Sequence, residues 1–251
     1  MNQHQITEPS DLLNEDGVLK QIGWAKDLLL KYDRKKIKVS KFRIKEWDYY
    51  CILRESYGIA FTISDLGYLG FVSVTFLDFE NCKETTKSTF VLFPLGSFNM
   101  PSSSQKGDVI FKRKGFSLKF LKRKEYRIIQ VNISSFDKGR SLKGEIILRQ
   151  PPSLESMVIT IPFPESKHAF YYNQKINCMP AKGKILLGNQ KFLFNPDDSF
   201  SVLDWGRGVW PYKNTWYWGS ASSKVGNELF GFNIGYGFGD NSLSLIHISE
   251  P

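Results

Sequence analysis

The sequence predicts an all-β protein of mainly antiparallel strands, closed into a barrel or a double half-barrel and carrying a short N-terminal helical segment. Aromatic residues make up 15% of the 251 residues, and 20 residues are phenylalanine. Such side chains favour the half-buried surface of a pleated sheet. Many segments alternate apolar and polar residues and are separated by short connections containing Gly or Ser. This is the pattern of antiparallel strands with one buried face.

The N-terminal region differs from the rest of the chain. Residues 1–20 are polar and acidic, and we expect a flexible arm without a signal peptide. The following residues include three successive leucines, Leu28, Leu29 and Leu30, and the short helix is predicted in this region. No apolar run approaches the length of a membrane span.

From Lys45 onward the pattern changes to strands. We predict strands at residues 47–54, 57–64, 66–79, 88–93, 108–112, 115–121, 124–136, 142–150, 157–163, 168–178 and 183–187. The proline pair at 151–152 is the clearest break. We therefore predict one β unit over residues 21–150 and the start of a second over residues 151–242.

The net charge is +9, and part of it is concentrated in two segments. Residues 31–45 and residues 112–127 each contain eight basic residues against one acidic residue. Such a surface is either solvated or attracts a weak anionic partner such as a membrane. No nucleic-acid-binding motif is present, and we expect no nucleic-acid partner. Three widely spaced cysteines predict a reducing, cytoplasmic location. The alternative is a location at the membrane periphery, through the basic segments.

The last nine residues, LSLIHISEP (243–251), are similar to the translation of a transposon adapter used in sequencing libraries. We expect them to be a scar, and we expect the natural chain to continue past Ser242.

One stretch, DWGRGVWPYKNTWYWGSAS (204–222), concentrates aromatic side chains. It contains four of the six tryptophans: Trp205, Trp210, Trp216 and Trp218. These rings either fill a barrel or line a ligand cavity, and in a barrel that encloses a ligand they do both. Trp216 and Trp218 are two residues apart, so in a strand they face the same side.

Asp204 and Arg207 are the charged pair of this stretch. Charges among so many rings must be paired or reach water. One interpretation is a structural salt bridge that fixes a glycine-rich turn. The other is an active site in which Asp204 is an acid or base, Arg207 positions it or binds an anion, and Tyr217 assists.

Two other segments supply candidate ligand-binding residues. In GFNIGYGFGD (231–240) bulky residues alternate mainly with glycine, and the bare face allows close approach of a backbone or a ligand. Asn233, Tyr236 and Asp240 are its candidates. In HAFYYNQKINC (168–178), Asn173 is the candidate. It shares a strand face with a lysine and a second asparagine, and that face either lines a wet cavity or is exposed to solvent.

No metal ion or cofactor is expected. The chain has one histidine outside its N-terminal tail and the last nine residues, which argues against catalytic metal sites. No glycine-rich phosphate loop is found.

Several long strings occur in a fixed order: GWAKDLLLKYDRKKI, KEWDYY, YLGFVSV, FYYNQKINCMPA, DWGRGVWPY, WYWGSAS and GFNIGYGFGD. Together they resemble the domain-of-unknown-function family numbered 2804 over roughly residues 15–242. More distantly, that family is similar to lipocalin-like two-barrel proteins of the carotenoid hydratase and tocopherol cyclase type. The resemblance implies two antiparallel barrels or half-barrels and an isoprenoid or lipid ligand.

Three functions remain open at this point. The first is binding of an apolar small molecule, a lipid or isoprenoid, in an aromatic-lined cavity. Within it, a hydratase, cyclase or isomerase would use Asp204 on such a ligand. The second is a non-catalytic protein peripheral to a membrane. The third is carbohydrate binding, which predicts several exposed tryptophans between residues 205 and 218.

Overall fold

The computed structural model describes residues 4–239 and the backbone of residues 245–249. The strands within these residues are β1 Ser10–Asp11, β2 Gly23–Ala25, β3 Leu30–Lys31, β4 Ile44–Leu53, β5 Tyr57–Asp65, β6 Leu69–Asp78, β7 Lys83–Leu92, β8 Val109–Arg113, β9 Phe116–Arg123, β10 Tyr126–Asp137, β11 Arg140–Arg149, β12 Met157–Pro162, β13 Phe170–Leu187, β14 Gln190–Phe194, β15 Phe200–Val209, β16 Tyr217–Val225, β17 Glu228–Tyr236 and β18 Leu245–Ser249. Two 3₁₀ turns, Arg34–Lys36 and Lys41–Arg43, are the helical elements of this part of the chain. The all-β prediction is confirmed.

The predicted N-terminal helix is wrong. Within the leucine run, Leu30 is buried in β3, which pairs with β1, and β2 pairs with β12. The region predicted as a flexible arm also packs, because Leu12 and Leu13 are almost fully buried. Three adjacent leucines do not form a stripe of helical period, and pairing with other strands satisfies this backbone instead.

The main sheet curls upon itself. Its strand order is β7-β6-β5-β4-β15-β13-β11-β10-β9-β8, with β2, β12 and β14 attached beside it. Strands that are far apart in this order come into contact. The Tyr50 ring of β4 and the Phe120 ring of β9 are 4.8 Å apart, and Arg113 of β8 donates to Thr89 of β7 at 3.1 Å. The enclosed face is a close-packed apolar core.

Alternation along the strands follows the prediction. Phe116, Leu118 and Phe120 of β9 are buried on one face, and Ile129, Val131 and Ile133 of β10 are buried likewise. Strands β13 and β15, from the predicted second unit, pair with β11 and β4 of the predicted first unit. The division at residue 150 stays a prediction.

Strand β13 connects two parts of the main sheet through an irregularity. Its register shifts between Ile176 and Met179, and Cys178 there has φ of 58°. Before this point β13 pairs with β12, after it with β11 and β14, and its pairing with β15 continues through the irregularity to Pro180. A bulge of this kind bends a strand and redirects its side chains.

A separate sheet, β16-β17-β18, lies against β13 and β15. The bare face of β17 is the face that approaches the main sheet, since a Cβ at Gly231 would lie 2.6 Å from the Sγ of Cys178. The backbone of Leu245–Ser249 pairs with β17. The adapter origin of these residues stays a prediction. Within the described residues, no helix is long and apolar enough to cross a membrane.

Candidate functional site

Asp204 and Arg207 lie on opposite faces of β15. The predicted glycine-rich turn is a strand, Phe200–Val209, and residues three apart on a strand point to opposite sides. The predicted salt bridge between them is therefore wrong. Asp204 pairs with Lys175, and Arg207 pairs with Asp48.

Asp204 and Lys175 form an ion pair on the outer face of the main sheet. They are directly opposite in the β13–β15 register, and the Lys175 Nζ donates to Asp204 Oδ2 at 2.8 Å. Lys175 is 2% exposed and Asp204 is 9% exposed. The other carboxylate oxygen, Oδ1, accepts from Asn173 Nδ2 at 2.6 Å and from Trp47 Nε1 at 3.2 Å. Three donors suit a carboxylate, which only accepts, and do not suit a carboxylic acid.

A glycine makes room for one of these donors. Trp47 of β4 is opposite Gly206 of β15, and a Cβ at Gly206 would lie 2.0 Å from Cζ2 of the indole. The ring therefore lies across bare backbone, and its N–H reaches the Asp204 carboxylate. Glycine occurs in this strand interior because the indole ring packs directly against the backbone, where a side chain would otherwise lie.

Five rings form a wall beside the ion pair, which we call the aromatic wall: Trp47, Tyr171, Trp210, Trp216 and Phe238. Tyr171 stacks on Trp47 at 5.9 Å between centroids and on Phe238 at 5.1 Å. Trp210 meets Tyr171 edge to face at 5.3 Å and Trp216 at 5.2 Å. These are favourable offset-stacked and T-shaped geometries.

Three buried polar atoms around this wall have no hydrogen-bond partner among the residues described: the Tyr171 hydroxyl, Asn173 Oδ1 and Trp210 Nε1. A buried polar atom left unpaired costs about 1–3 kcal/mol. Natural proteins pair nearly all such atoms, with water or a ligand where protein groups are lacking.

Strands β16 and β17 cover the ion pair. The Lys175 ammonium lies 4.3 Å from the ring centroid of Trp218, a cation–π contact. Trp218 donates to Asn233 Oδ1 at 3.2 Å, and Asn233 donates to Asn177 of β13. Trp216, which precedes β16, packs on Trp210, and Trp218 of β16 packs on Tyr49 of β4.

Burial sets the electrostatics of the site. It lowers the pKa of Lys175, although the Asp204 carboxylate acts in the opposite direction. Burial raises the pKa of Tyr171 well above its ordinary value, and the Asp204 charge raises it further. The pKa of Tyr49, opposite Asp204 on β4, is raised mainly by burial as well. The site therefore favours neutral phenols and a lysine that gives up its proton more readily than in water.

The inner face of β15 carries the second ion pair. Arg207 is fully buried, and two of its nitrogens donate to Asp48 Oδ1 at 3.0 Å. Its remaining bonds go to the backbone carbonyls of Trp47, Gly206 and Pro101. Burial raises the pKa of Asp48, and Arg207 opposes the shift. Trp205 packs on the guanidinium at 4.3 Å.

The structure does not bring every predicted residue to Asp204. Tyr217 and Tyr236 are opposite each other on β16 and β17 and are 70% and 64% exposed. Tyr217 faces away because its neighbour Trp218 faces the main sheet. Trp205 and Arg207 lie on the inner face, and Asp240 lies outside the described residues. The structure does gather Asn173, Trp210, Trp216, Trp218 and Asn233 on the same side as Asp204.

Sequence reasoning missed Lys175, Trp47 and Tyr171 as site residues. Asn173, Lys175 and Asn177 are all nearly fully buried, so the solvent-exposed interpretation of that strand face is wrong. The spacing of two between Asn173 and Lys175 was the available signal. Among the described residues, no group of three or more His, Cys, Asp or Glu side chains could hold a metal ion.

A family model described as a domain of unknown function (DUF2804) matches residues 3–244. The chain belongs to this family. The resemblance of the sequence strings to DUF2804 is thereby confirmed. No curated protein matches the chain.

Two solved structures are similar to this DUF2804 member. The crystal structure of a candidate AttH from Nitrosomonas europaea has a TM-score of 0.55 at 12% identity, covering 88% of this chain and 72% of that one. Kievitone hydratase from Nectria haematococca has a TM-score of 0.39 at 12% identity, covering 80% of this chain and 63% of that one. The AttH likeness agrees with the lipocalin-like fold predicted for DUF2804, and that fold is confirmed.

Proposed function

We propose that this protein binds an apolar small molecule, a lipid or an isoprenoid, against the aromatic wall. The observation that carries the proposal is the set of three buried polar atoms, on Tyr171, Asn173 and Trp210, left unpaired within the described residues. The Trp210 N–H is a donor, Asn173 Oδ1 is an acceptor, and the Tyr171 hydroxyl can act as either. A single hydroxyl or carbonyl group of a ligand would pair with some of them.

The charges of the site favour a neutral ligand. Lys175 and Asp204 neutralise each other at 2.8 Å, so a charged ligand would have to displace one partner of a buried pair. The neighbouring rings of Trp47, Tyr171 and Phe238 supply apolar contact area. Ligand sites of this kind are mostly apolar, with a few polar groups that fix orientation.

Two adjacent tyrosines on β13 test the proposal. Tyr171→Phe removes a hydroxyl that has no partner among the described residues. We expect it to leave the stability of the empty protein unchanged or higher. We expect it to weaken binding of retinol, an isoprenoid alcohol, by about 2-fold to 12-fold, since one hydrogen bond contributes about 0.5–1.5 kcal/mol.

Tyr172→Phe is the matched control. The Tyr172 hydroxyl points to the opposite face and donates to the Leu30 carbonyl at 2.8 Å, so its loss should lower stability and leave retinol affinity unchanged. Retinol fluorescence titration measures the affinity, and solvent extraction with mass spectrometry identifies molecules that co-purify. If the purified protein is empty and binds neither retinol nor a fatty alcohol, the proposal is wrong.

A second candidate is an enzyme of the hydratase, cyclase or isomerase type on the same ligand. The lowered pKa of Lys175 beside Asp204 favours it. Of the two roles predicted for Asp204, acid or base, this assignment gives it the role of base. The lysine ammonium would donate the proton, and the Asp204 carboxylate would accept one. With the co-purified ligand as substrate, Asp204→Asn should retain binding and lose turnover. Unchanged turnover would remove Asp204 from the mechanism.

Carbohydrate binding receives less support. It predicts several exposed tryptophans, whereas Trp205 and Trp210 are buried and Trp216 is half-exposed. We also propose contact with an anionic membrane surface, because residues 31–45 present exposed lysines at positions 31, 35, 38 and 41.

A further inference from the structure

One end of the main sheet presents apolar side chains to solvent. We call them the apolar tip: Phe42, Tyr68, Leu92 and Phe93. They are 47%, 51%, 71% and 59% exposed. Phe42 and Phe93 meet edge to face at 6.0 Å, and the Phe93 N–H donates to the Tyr68 carbonyl at 3.1 Å. Clustered apolar side chains at a surface mark a contact site more often than scattered ones do.

The apolar tip is held rigidly. The Asp65 carboxylate is fully buried and accepts from the Gly67 N–H at 2.9 Å and the Gly96 N–H at 2.6 Å. It therefore fixes the turn between β5 and β6, next to Tyr68, and the loop that follows Phe93. Phe93 and Leu95 have φ of 52° and 50°, a left-handed conformation that non-glycine residues rarely adopt. Such strain persists only where the surrounding structure imposes it, and it is concentrated at functional sites.

A basic cavity of about 610 Å³ adjoins the tip. Lys41 and Leu95 line it, and they neighbour Phe42 and Phe93 along the chain. Four cationic side chains line the cavity, Lys31, Arg34, Lys35 and Lys41, against one carboxylate, Asp33.

One cation in the cavity has unused donor capacity. Arg34 donates through Nη1 to the buried Glu46 carboxylate. Its Nη2 is buried and has no partner within the described part of the chain. The lining also includes half-buried apolar side chains, among them Ile37 and Val39. A cavity with this lining suits a phosphate group attached to an apolar chain.

We infer that the apolar tip and the basic cavity together dock the protein onto an anionic phospholipid bilayer. The tip inserts its rings at the level of the headgroups, where aromatic side chains are favoured. The cavity receives one phosphate headgroup, with Lys35 and Lys41 at its rim. This inference rests on the membrane contact proposed above and assigns that contact to the apolar tip and the basic cavity. It is independent of the ligand proposed for the aromatic wall.

Vesicle sedimentation at low salt tests the inference with the full chain. The vesicles contain phosphatidylcholine alone or a mixture with phosphatidylglycerol. The paired substitution Lys35→Gln and Lys41→Gln should weaken binding to the mixed vesicles by about 30-fold, taking about 5-fold for each lysine near an anionic surface. Phe42→Ser with Phe93→Asn should weaken it at least several-fold, because asparagine tolerates the left-handed backbone of residue 93.

Matched controls lie elsewhere on the barrel. Lys112→Gln with Lys114→Gln removes two exposed lysines of the other basic segment, and Ile110→Ser removes an exposed apolar side chain of β8. Both should bind like the unaltered protein. Circular dichroism should be the same for all variants.

The outcomes separate the general proposal from the location. If the unaltered protein ignores the mixed vesicles, both the membrane contact and this inference are wrong. If it binds and the tip and rim variants bind equally well, or the controls lose binding instead, the location alone is wrong. Inorganic phosphate at millimolar concentration is the third arm. If phosphate protects the protein against thermal unfolding while vesicles do not bind, the cavity serves a soluble anion and the docking inference is wrong.

Discussion

The ion pair between Lys175 and Asp204 yields a quantitative prediction. Lys175→Met keeps the apolar stem of the side chain and removes the ammonium, leaving a nearly buried carboxylate. Breaking a buried pair by removing one partner costs about 3–5 kcal/mol. Asp204 keeps its bonds to Asn173 and Trp47, and it is 9% exposed. We therefore expect a loss near the lower bound, about 3 kcal/mol.

The double variant, Lys175→Met with Asp204→Asn, should recover most of that loss. No charge remains buried, and the asparagine oxygen can still accept the hydrogen bonds from Asn173 and Trp47. We expect the double variant to be destabilised by less than about 1.5 kcal/mol, because a buried pair replaced by neutral groups is often nearly as stable. The coupling energy between the two sites should exceed about 2 kcal/mol.

Urea unfolding followed by tryptophan fluorescence measures all four proteins. In thermal unfolding, Lys175→Met should lower Tm by roughly 6–12 °C for a domain of this size. If the free-energy losses of the two single variants add up in the double variant, Lys175 and Asp204 do not interact as the structure describes.

The pH dependence of Asp204→Asn gives an independent check. In the folded protein the pKa of Lys175 lies below its unfolded value of 10.5, and Asp204 opposes that shift. Removing Asp204 lowers the folded pKa further. Between the folded and unfolded values the unfolded chain binds more protons, so stability rises with pH there. Asp204→Asn should lower the free energy of unfolding relative to the unaltered protein. This loss should become smaller as pH rises from about 7 to about 10. A stability loss independent of pH would contradict the lower pKa expected for Lys175 when Asp204 is absent.

Three further substitutions separate packing from exposure. Gly206→Ala forces a Cβ to within 2.0 Å of an indole carbon and should cost about 1–3 kcal/mol in urea unfolding, whereas Gly219→Ala, with nothing within 4 Å, should be neutral. Equal effects would refute the close approach. Arg207→Met leaves Asp48 buried and unpaired and should cost about 3–5 kcal/mol by the same assay, with rescue by Asp48→Asn. Absence of rescue would argue against the pair. Tyr217→Phe should change the free energy of unfolding by no more than about 0.5 kcal/mol. It should also leave retinol affinity, measured by fluorescence titration, unchanged. A loss of affinity would return this exposed phenol to the site.

Periodicity predicted strands such as β9 and β10 because each of them buries one face, whereas β15, buried on both faces, was predicted as a turn. Phe116 and Phe120, for example, are four residues apart on β9, so they lie on the same face, and both are buried in the core. The site was harder to predict because its members are distant in sequence. Asp204 meets Trp47 across 157 residues, and only strand register brings them together. The N-terminal helix failed because long-range pairing of β1 with β3 outweighs local pattern in a short segment.

Asp204 and Arg207 show how a correct choice of residues led to a wrong pairing. Glycines at 206 and 208 read as turn signals, so the two charges were expected to meet across a turn. Both glycines are strand residues, where a Cβ would collide with the Trp47 ring or with the Phe170 carbonyl. Once the segment is recognised as a strand, the odd spacing places the charges on opposite faces.

Both faces of the sheet at β15 keep a buried polar atom without a partner among the described residues, and on the inner face this atom is Trp205 Nε1. On the inner face, every nitrogen of the Arg207 guanidinium has an oxygen partner, and this pair holds strands together. On the outer face, Tyr171 and Asn173 keep unpaired polar atoms, among the described residues, beside an equally buried pair. Unpaired groups in a dry site retain their capacity to bind, since no competing bond must be broken first. The proposal that a ligand binds at the outer face is supported by the position of two of these atoms, the Tyr171 hydroxyl and Asn173 Oδ1, beside the aromatic wall.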